Sequence, residues 1–355
     1  MRILILGAGR IGTAVAHMMA DAGDHRITLA DRHFGHEASQ LAPSIAQITA
    51  DAGDPADLDR IMRDHDAVLA AGPYHLCPVI AEAAVRNGLH YFDLTEDVRS
   101  TRAVSVLAEG ARTALVPQCG LAPGVVCVMA HGLAHGFDQV EAIRIRVGAL
   151  PAHPTGPLGY AMTWSTAGVV NEYCNPCEAI WNGERREVLP LEGEETVILH
   201  GTTYEAFNTS GGLGMLADAF DGRIRTLDYK TLRYPGHRAI MKLLLEDLKL
   251  RDRRDLLEQV LEASVPTTDQ DVVVLSVSVD GMVHGRLTRK SWTREVGARD
   301  VAGMHMSAIR LTTAAGVAAV IDMLAAGQLP QQGLVRHDHI DADTLLANRF
   351  GQHYA

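Results

Sequence analysis

Arg233, Tyr234 and His237 fall within one pentapeptide, Arg233-Tyr234-Pro235-Gly236-His237. A guanidinium can clamp a carboxylate through two parallel N–H bonds. An imidazole can move protons near neutral pH. The segment therefore holds the parts needed to anchor an anion and accept a proton, although the same residues also describe a loop before a helix with Tyr234 packed. A second set lies nearer the N-terminus, Gly72-Pro73-Tyr74-His75 and Thr95-Glu96-Asp97, where His75 or Asp97 could take a proton. Asp97 can equally cap a helix that starts at Val98. In the stretch from Gly159 to Gly168, Trp164 could wall a cavity and Thr166 could donate a hydroxyl, or the stretch could simply be a buried strand end ahead of a helix.

What these groups would act with is indicated by the first nineteen residues. Ile3 to Leu6 form a short apolar run that reads as a strand buried on both faces, and Gly7-Ala8-Gly9-Arg10-Ile11-Gly12 follows at once. Gly7 permits a tight turn, Gly9 has no side chain to block a pyrophosphate, and Gly12 lets the following helix pack closely on the strand. The helix start at Arg10 and Ile11 presents free N–H groups and partial positive charge to phosphate. A second apolar run ends at Ala30, and Asp31 stands directly after it. An acid there accepts hydrogen bonds from an adenosine ribose and repels a 2′-phosphate, which selects NAD over NADP. Arg32 pulls the other way, because a guanidinium beside the ribose could pair with that phosphate.

The elements needed to position these residues follow a β/α rhythm. Strands are expected at Arg26–Ala30, Ile45–Thr49, Asp66–Ala71, His90–Leu94 and Thr113–Val116, with helices at Pro55–Arg63, Pro78–Asn87 and Val98–Glu109. Six strands separated by helices describe a doubly wound parallel sheet, whose ligands sit beyond the carboxyl ends of the strands. Those ends are Gly72-Pro73-Tyr74-His75, Thr95-Glu96-Asp97 and Gln118 to Gly124. Gly72, Pro73 and Thr95 are assigned to the cofactor, Tyr74 and His75 to its reactive end, and Gly120 and Leu121 to the substrate.

After Pro117 the pattern changes. Ile143, Ile145 and Val147 alternate with Arg144 and Arg146, as in a sheet with one wet face. Further strands are expected at Thr196–His200, Arg225–Tyr229, Asp271–Val279 and Val283–Arg289, with Asp280-Gly281 as the hairpin turn between the last two. Helices are expected at Thr166–Tyr173, Leu213–Phe220, His237–Leu248 and Asp252–Ala263. A small-residue-rich helix from Met304 to Ala326 should bring the chain back to the first domain.

Composition excludes several classes. The chain has 355 residues, 47% hydrophobic and 21% charged, which suits a globular protein with more than one core. A net charge of −11 without a basic stripe argues against nucleic acid. No apolar stretch is expected to reach bilayer length. Five cysteines do not form a disulfide framework, and no secretory signal opens the chain, so a reducing cytoplasm is expected. No metal is expected: Cys174-Asn175-Pro176-Cys177 has no second pair, position 132 between His131 and His135 is Gly, and His337-Asp338-His339 reads as a solvated turn.

Taken together, the glycine fingerprint, GPYHL at Gly72, FDLTEDV at Phe92, QCGLAPG at Gln118, WSTAG at Trp164, EAFNTSGGLG at Glu205 and TLRYPGH at Thr231 resemble the saccharopine dehydrogenase superfamily, most closely its lysine 6-dehydrogenase branch. The resemblance runs nearly end to end. It implies an α/β fold with a dinucleotide-binding Rossmann domain at 1–122, an inserted α+β catalytic and dimerisation domain at 123–302 with a largely antiparallel sheet, and a return at 303–355. It also implies a homodimer and NAD-dependent oxidation of an amino-acid amine. The lysine ε-amine must be neutral to lose hydride, so its usual pKa of about 10.4 calls for burial or a base, with His75, Asp97 and His237 available. Arg233 would hold the α-carboxylate, with Tyr234 and Thr166 as polar supports. An imine reductase would need a further carboxylate pocket, for which Arg144, Arg146 or Arg225 is available. A nucleotide-sensing protein without turnover is the reading outside catalysis.

Overall fold

A computed structural model describes residues 1–35, 38 and 41–355. The chain forms two compact units, Met1–Val128 with Asp300–Met304 and Arg310–Ala355, and Met129–Arg299 with His305–Ile309.

Unit 1 is built on a parallel sheet of β1 (Arg2–Leu6), β2 (Arg26–Asp31), β3 (Ala46–Thr49), β4 (Ala67–Ala70), β5 (His90–Asp93) and β6 (Ala114–Val116). Strand order is 3-2-1-4-5-6, extended beyond β6 by a short parallel strand at Gly333–Leu334. Between the strands run α1 (Arg10–Ala22), α2 (Pro55–Met62), α3 (Cys77–Asn87) and α4 (Val98–Leu107). The apolar burial of Ile3–Leu6 in β1 and of all of β4 follows from helices covering both faces. Strand order reverses between the parallel neighbours β1 and β4, and this is where such a sheet opens a crevice for ligands.

Helix α5 (Val125–Ala134) leads into unit 2. Its mixed sheet contains β7 (Gln139–Pro151), β8 (Cys177–Trp181), β9 (Glu184–Val188), β10 (Glu195–Leu199), β11 (Thr202–Asn208), β12 (Thr226–Arg233), β13 (Asp271–Val283) and β14 (Arg286–Gly297). Among the described residues only the β7–β12 pair of this sheet is parallel, so the sheet is largely antiparallel. Its helices are α6 (Thr166–Cys174), α7 (Leu216–Phe220), α8 (His237–Lys242) and α9 (Arg254–Ser264). A core of Tyr160, Val169, Tyr173, Phe207, Met241, Leu257 and Leu261 joins α6, α8 and α9 to β11.

Several sequence expectations need correction. Asp280-Gly281 is not a turn: β13 runs through it with a bulge, and the hairpin turns at His284-Gly285, both at positive φ. Gly281 is required for another reason, since a Cβ there would lie 2.2 Å from the Gln139 carbonyl oxygen. The helix expected over His237–Leu248 is α-helical only to Lys242 and widens to a π-turn over Leu243–Asp247. Strands β8, β9 and β11 were not anticipated. Met304–Met306 is a strand, and the long helix is α10 (Ala308–Ala325). By length and composition α10 could cross a membrane, contrary to expectation, but 72% of it is buried inside the protein. His337 is not solvated. It is 2% exposed, and its Nε2–H donates to the Gln118 carbonyl at 3.0 Å.

Candidate functional site

In unit 1 the glycine loop has the geometry of an open cradle. Gly7 has φ of 118°, and a Cβ on Gly12 would lie 1.9 Å from the Gly7 carbonyl oxygen, so neither position admits a side chain. A Cβ on Gly9 would meet nothing within 4 Å. Gly9 is therefore not required by packing, and the space beside it suits an approaching phosphate. Gly9 caps α1 without any side-chain hydrogen bond. Asp31 lies against this loop. Its Oδ2 accepts from Ala8 N at 2.7 Å and its Oδ1 from His33 N at 3.1 Å, which leaves lone pairs for ribose hydroxyls. Arg32 beside it is exposed.

Beyond β4, Gly72 abuts Gly7, and Gly72, Pro73, Tyr74 and His75 are all exposed. The His75 ring meets Tyr74 edge-on. Asp97 caps α4, with Oδ1 accepting from Ser100 N at 2.7 Å and its other oxygen holding no hydrogen bond among the described residues. Thr95 is buried, and its hydroxyl accepts from Asp97 N at 3.0 Å. Gly120 and Leu121 are buried as well. Two carboxylates here were missed. Asp93 is fully buried at the end of β5, and burial lifts its pKa to about 6 against hydrogen bonds from Gln118 N, Tyr91 Oη and Thr95 N. Burial also raises Glu96. An acid ending the apolar run Tyr91-Phe92 was the available signal.

In unit 2 the pentapeptide closes into a polar cluster. Arg233 ends β12 and is 2% exposed. Its Nε donates to Tyr173 Oη at 2.9 Å and its Nη1 to the Leu232 carbonyl at 2.9 Å, and no carboxylate lies within ion-pair distance among the described residues. Its guanidinium carbon is 4.9 Å from the Tyr160 ring centroid and 5.8 Å from that of Tyr173. His237 is 1% exposed, with Nδ1 3.0 Å from the Leu158 carbonyl and Nε2 3.0 Å from Tyr173 Oη. A carbonyl can only accept, so Nδ1 carries the proton, and Nε2 must then accept from Tyr173. Burial, with the Arg233 charge beside it, lowers the His237 pKa to about 3. The ring is neutral with both nitrogens engaged. The role of proton acceptor therefore has no free lone pair to rest on, and His237 instead orients Tyr173.

Around this chain are unmatched groups. The Tyr160 hydroxyl, flanked by Thr163 and Trp164, is buried without a hydrogen-bond partner among the described residues, as is the Thr163 hydroxyl. Trp164 packs on Gly168, where a Cβ would lie 2.2 Å from its ring. Thr166 opens α6 and is half-buried, while Ser165 caps that helix through Gly168 N. Tyr234 is not a polar support: its hydroxyl donates to the Pro151 carbonyl at 3.0 Å, and its ring lies by Tyr204. Glu205, on β11 directly opposite Arg233, was also missed. Both its oxygens accept backbone N–H groups, from Gly236 at 2.8 Å and Arg238 at 2.5 Å, so it fixes the start of α8 rather than neutralising Arg233.

Two other arginines of this sheet are committed. Arg144 pairs with Asp280 at 2.5 Å, and Arg146 with Glu195 and Asp228. Neither is available as a second carboxylate pocket. Cys174 and Cys177 are buried free thiols, and His131 stacks on Phe220.

Residues 3–116 match the saccharopine dehydrogenase NADP binding domain, and residues 120–352 the saccharopine dehydrogenase C-terminal domain. The chain belongs to the saccharopine dehydrogenase family. A relative in this family, the NADP(+), L-glutamate-forming saccharopine dehydrogenase of Saccharomyces cerevisiae, is 23% identical over 263 residues, covering 70% of this chain and 58% of the yeast protein. Carboxynorspermidine synthase of Vibrio alginolyticus is 28% identical over 184 residues, 41% of this chain and 42% of its own length. The chain spans about half the length of the curated relatives it matches. Among solved structures, the apo yeast saccharopine dehydrogenase superposes with a TM-score of 0.80 at 20% identity, covering 98% of this chain and 96% of the other. Homospermidine synthase of Legionella pneumophila, solved with NAD, gives 0.70 at 14% identity over 99% and 89%. Within the saccharopine dehydrogenase fold, the glycine cradle belongs to the first matched domain and the Arg233 cluster to the second.

Proposed function

We propose that this protein oxidises the ε-amine of L-lysine with NAD, forming the 6-semialdehyde, which closes on its own α-amine. The observation that carries the proposal is Arg233. Among the described residues, the Arg233 guanidinium is buried with no carboxylate in contact, the Glu172 charge acting on it only from beyond ion-pair distance, and two hydroxyls without a hydrogen-bond partner lie in the same cluster. A substrate carboxylate would accept from the free Nη2 and from Tyr160 Oη.

When bound, the dinucleotide supplies the hydride acceptor. The chain's part is to hold it and to manage charge. The cradle from Gly7 to Gly12 would take the pyrophosphate, and Asp31 the ribose. Arg233 would anchor the carboxylate, its position locked through Tyr173 and His237. With His237 excluded, the proton from the ε-ammonium would go to His75 or to the free oxygen of Asp97. Water then adds to the iminium carbon and ammonia leaves.

A homodimer in a reducing cytoplasm is part of the same proposal. The alternative is NAD(P)-dependent imine reduction of the saccharopine reductase or carboxynorspermidine dehydrogenase kind; the exposed Arg32 and the NADP-named family domain support NADP in that reading. Absorbance of reduced nicotinamide at 340 nm, with NAD and NADP each tested against lysine, ornithine, saccharopine and diamines, distinguishes the two. Turnover of saccharopine but not lysine would reject the first proposal.

A further inference from the structure

Asp93 holds several parts of the ligand end of unit 1 together. Its Oδ1 accepts from Thr95 N at 3.1 Å and Gln118 N at 2.8 Å, and its Oδ2 accepts from Tyr91 Oη at 2.8 Å. Its main-chain carbonyl accepts Cys119 N at 3.0 Å and Cys119 Sγ at 3.1 Å. One fully buried residue thus ties the loop after β5 to the loop after β6. Gln118, the second of these attachment points, sits at a positive φ of 59°, a conformation that a non-glycine residue keeps only when its surroundings hold it there. Its side chain donates to Thr101 Oγ1 at 3.0 Å and its carbonyl accepts from His337. Both loops lie where a doubly wound sheet receives its ligand.

We propose that Asp93 is a positioning residue for the dinucleotide, fixing the loops after β5 and β6 in one arrangement without itself touching the cofactor. Its proton count tunes that hold. With the carboxylate ionised, two N–H groups and the Tyr91 hydroxyl all point at it. Charge-assisted bonds of this kind are about twice as strong as neutral ones. On protonation, Oδ2–H must donate to Tyr91 Oη, and Tyr91 turns its hydrogen to its other acceptor, the Cys77 carbonyl 3.2 Å away. The network survives with weaker bonds to Thr95 and Gln118. The groups facing Asp93 are Tyr91 on β5, Cys77 on α3, Glu96 and Asp97 in the first loop and Cys119 in the second. Burial holds both thiols and the Tyr91 phenol protonated, which leaves the carboxyl of Asp93, raised to about 6, and that of Glu96, raised by the same cause, as the buried acids of this network that change charge on acidification.

The inference rests on the dinucleotide half of the proposed function, and not on the identity of the amine. The test is calorimetric titration of NAD, which has no ionisation of its own in the range, into wild-type protein and the variants Asp93→Asn and Asp93→Ala between about pH 5 and 8. Wild-type affinity should rise several-fold across pH 6. Asp93→Asn, which keeps the shape but not the titration, should be flat over that range and near wild type below it. Asp93→Ala leaves two buried N–H groups unmatched and should bind about tenfold more weakly or worse at pH 7. An Asn variant that retains the wild-type pH dependence would overturn the proposal, and so would an Ala variant with native circular dichroism and unchanged affinity. Should the Ala variant fail to fold, the Asn profile decides alone. Absence of NAD binding in wild type would instead reject the dinucleotide assignment itself.

Discussion

Arg146 and Arg233 stand on adjacent strands of one sheet, β7 and β12, and both are buried. Arg146 lies between Glu195 and Asp228, with Lys230 completing the group by pairing with Glu195 at 3.0 Å. Arg233 has aromatic rings, a phenol and the Leu232 carbonyl around it, with no carboxylate in ion-pair contact among the described residues and the Glu172 charge acting only from beyond that distance. The acid opposite Arg233, Glu205, is turned to the start of α8. A guanidinium enclosed by its own carboxylates is part of the frame, whereas one enclosed without them is poised for a charge from outside. Both would read as equal candidates to anyone counting arginines in the sequence.

The sharpest way to break this contrast is to remove each charge in turn. Arg146→Ala strands two carboxylates in the sheet and should cost about 3–5 kcal/mol of folding free energy, read from denaturant unfolding. Arg233→Ala should leave stability within about 1 kcal/mol of wild type yet raise KM for the amino-acid substrate by about 30-fold or more, with NAD affinity unchanged. An unaltered lysine KM in that variant would remove Arg233 from the substrate site. Smaller is the effect of Glu205→Gln, which weakens two N–H bonds at the start of α8. It should raise KM several-fold and lower stability by about 1 kcal/mol, with partial rescue in Glu205→Asp.

The pH dependence of stability gives the mildest test. His237 has its pKa lowered from 6.5 to about 3 in the folded chain. The unfolded chain therefore binds the extra proton between those values, and stability falls as pH drops from about 6.5 toward 3. Urea midpoints measured at pH 7 and pH 4.5 should differ less in His237→Gln than in wild type, because that substitution removes the titrating group.

How much of this was legible depended on range. The β1 strand, the glycine cradle and Asp31 depend on neighbours close in sequence, and they stand where spacing placed them. Asp280-Gly281 misled because its meaning is set from afar: Arg144 and Arg289 hold the Asp, and the β7 backbone excludes a side chain at the Gly. His337 reads as exposed between polar neighbours, and only the chain's return to the Gln118 loop buries it. His237 shows the same limit in chemistry. Its residue type promised a base, but Tyr173 and Leu158, 64 and 79 residues away, remove its free lone pair.

The chain of hydrogen bonds from Arg233 through Tyr173 and His237 to Leu158 runs in one direction only, because each donor has a single acceptor next in line. The guanidinium at its head cannot swing toward a shorter or longer guest. Were the proposed carboxylate bound there, Arg233 would act as the zero mark of a ruler, and the number of methylenes would set how far from it the amine lies. Homologues that differ by one carbon would be separated by about 1–3 kcal/mol, with no side chain needed to inspect the chain between its ends.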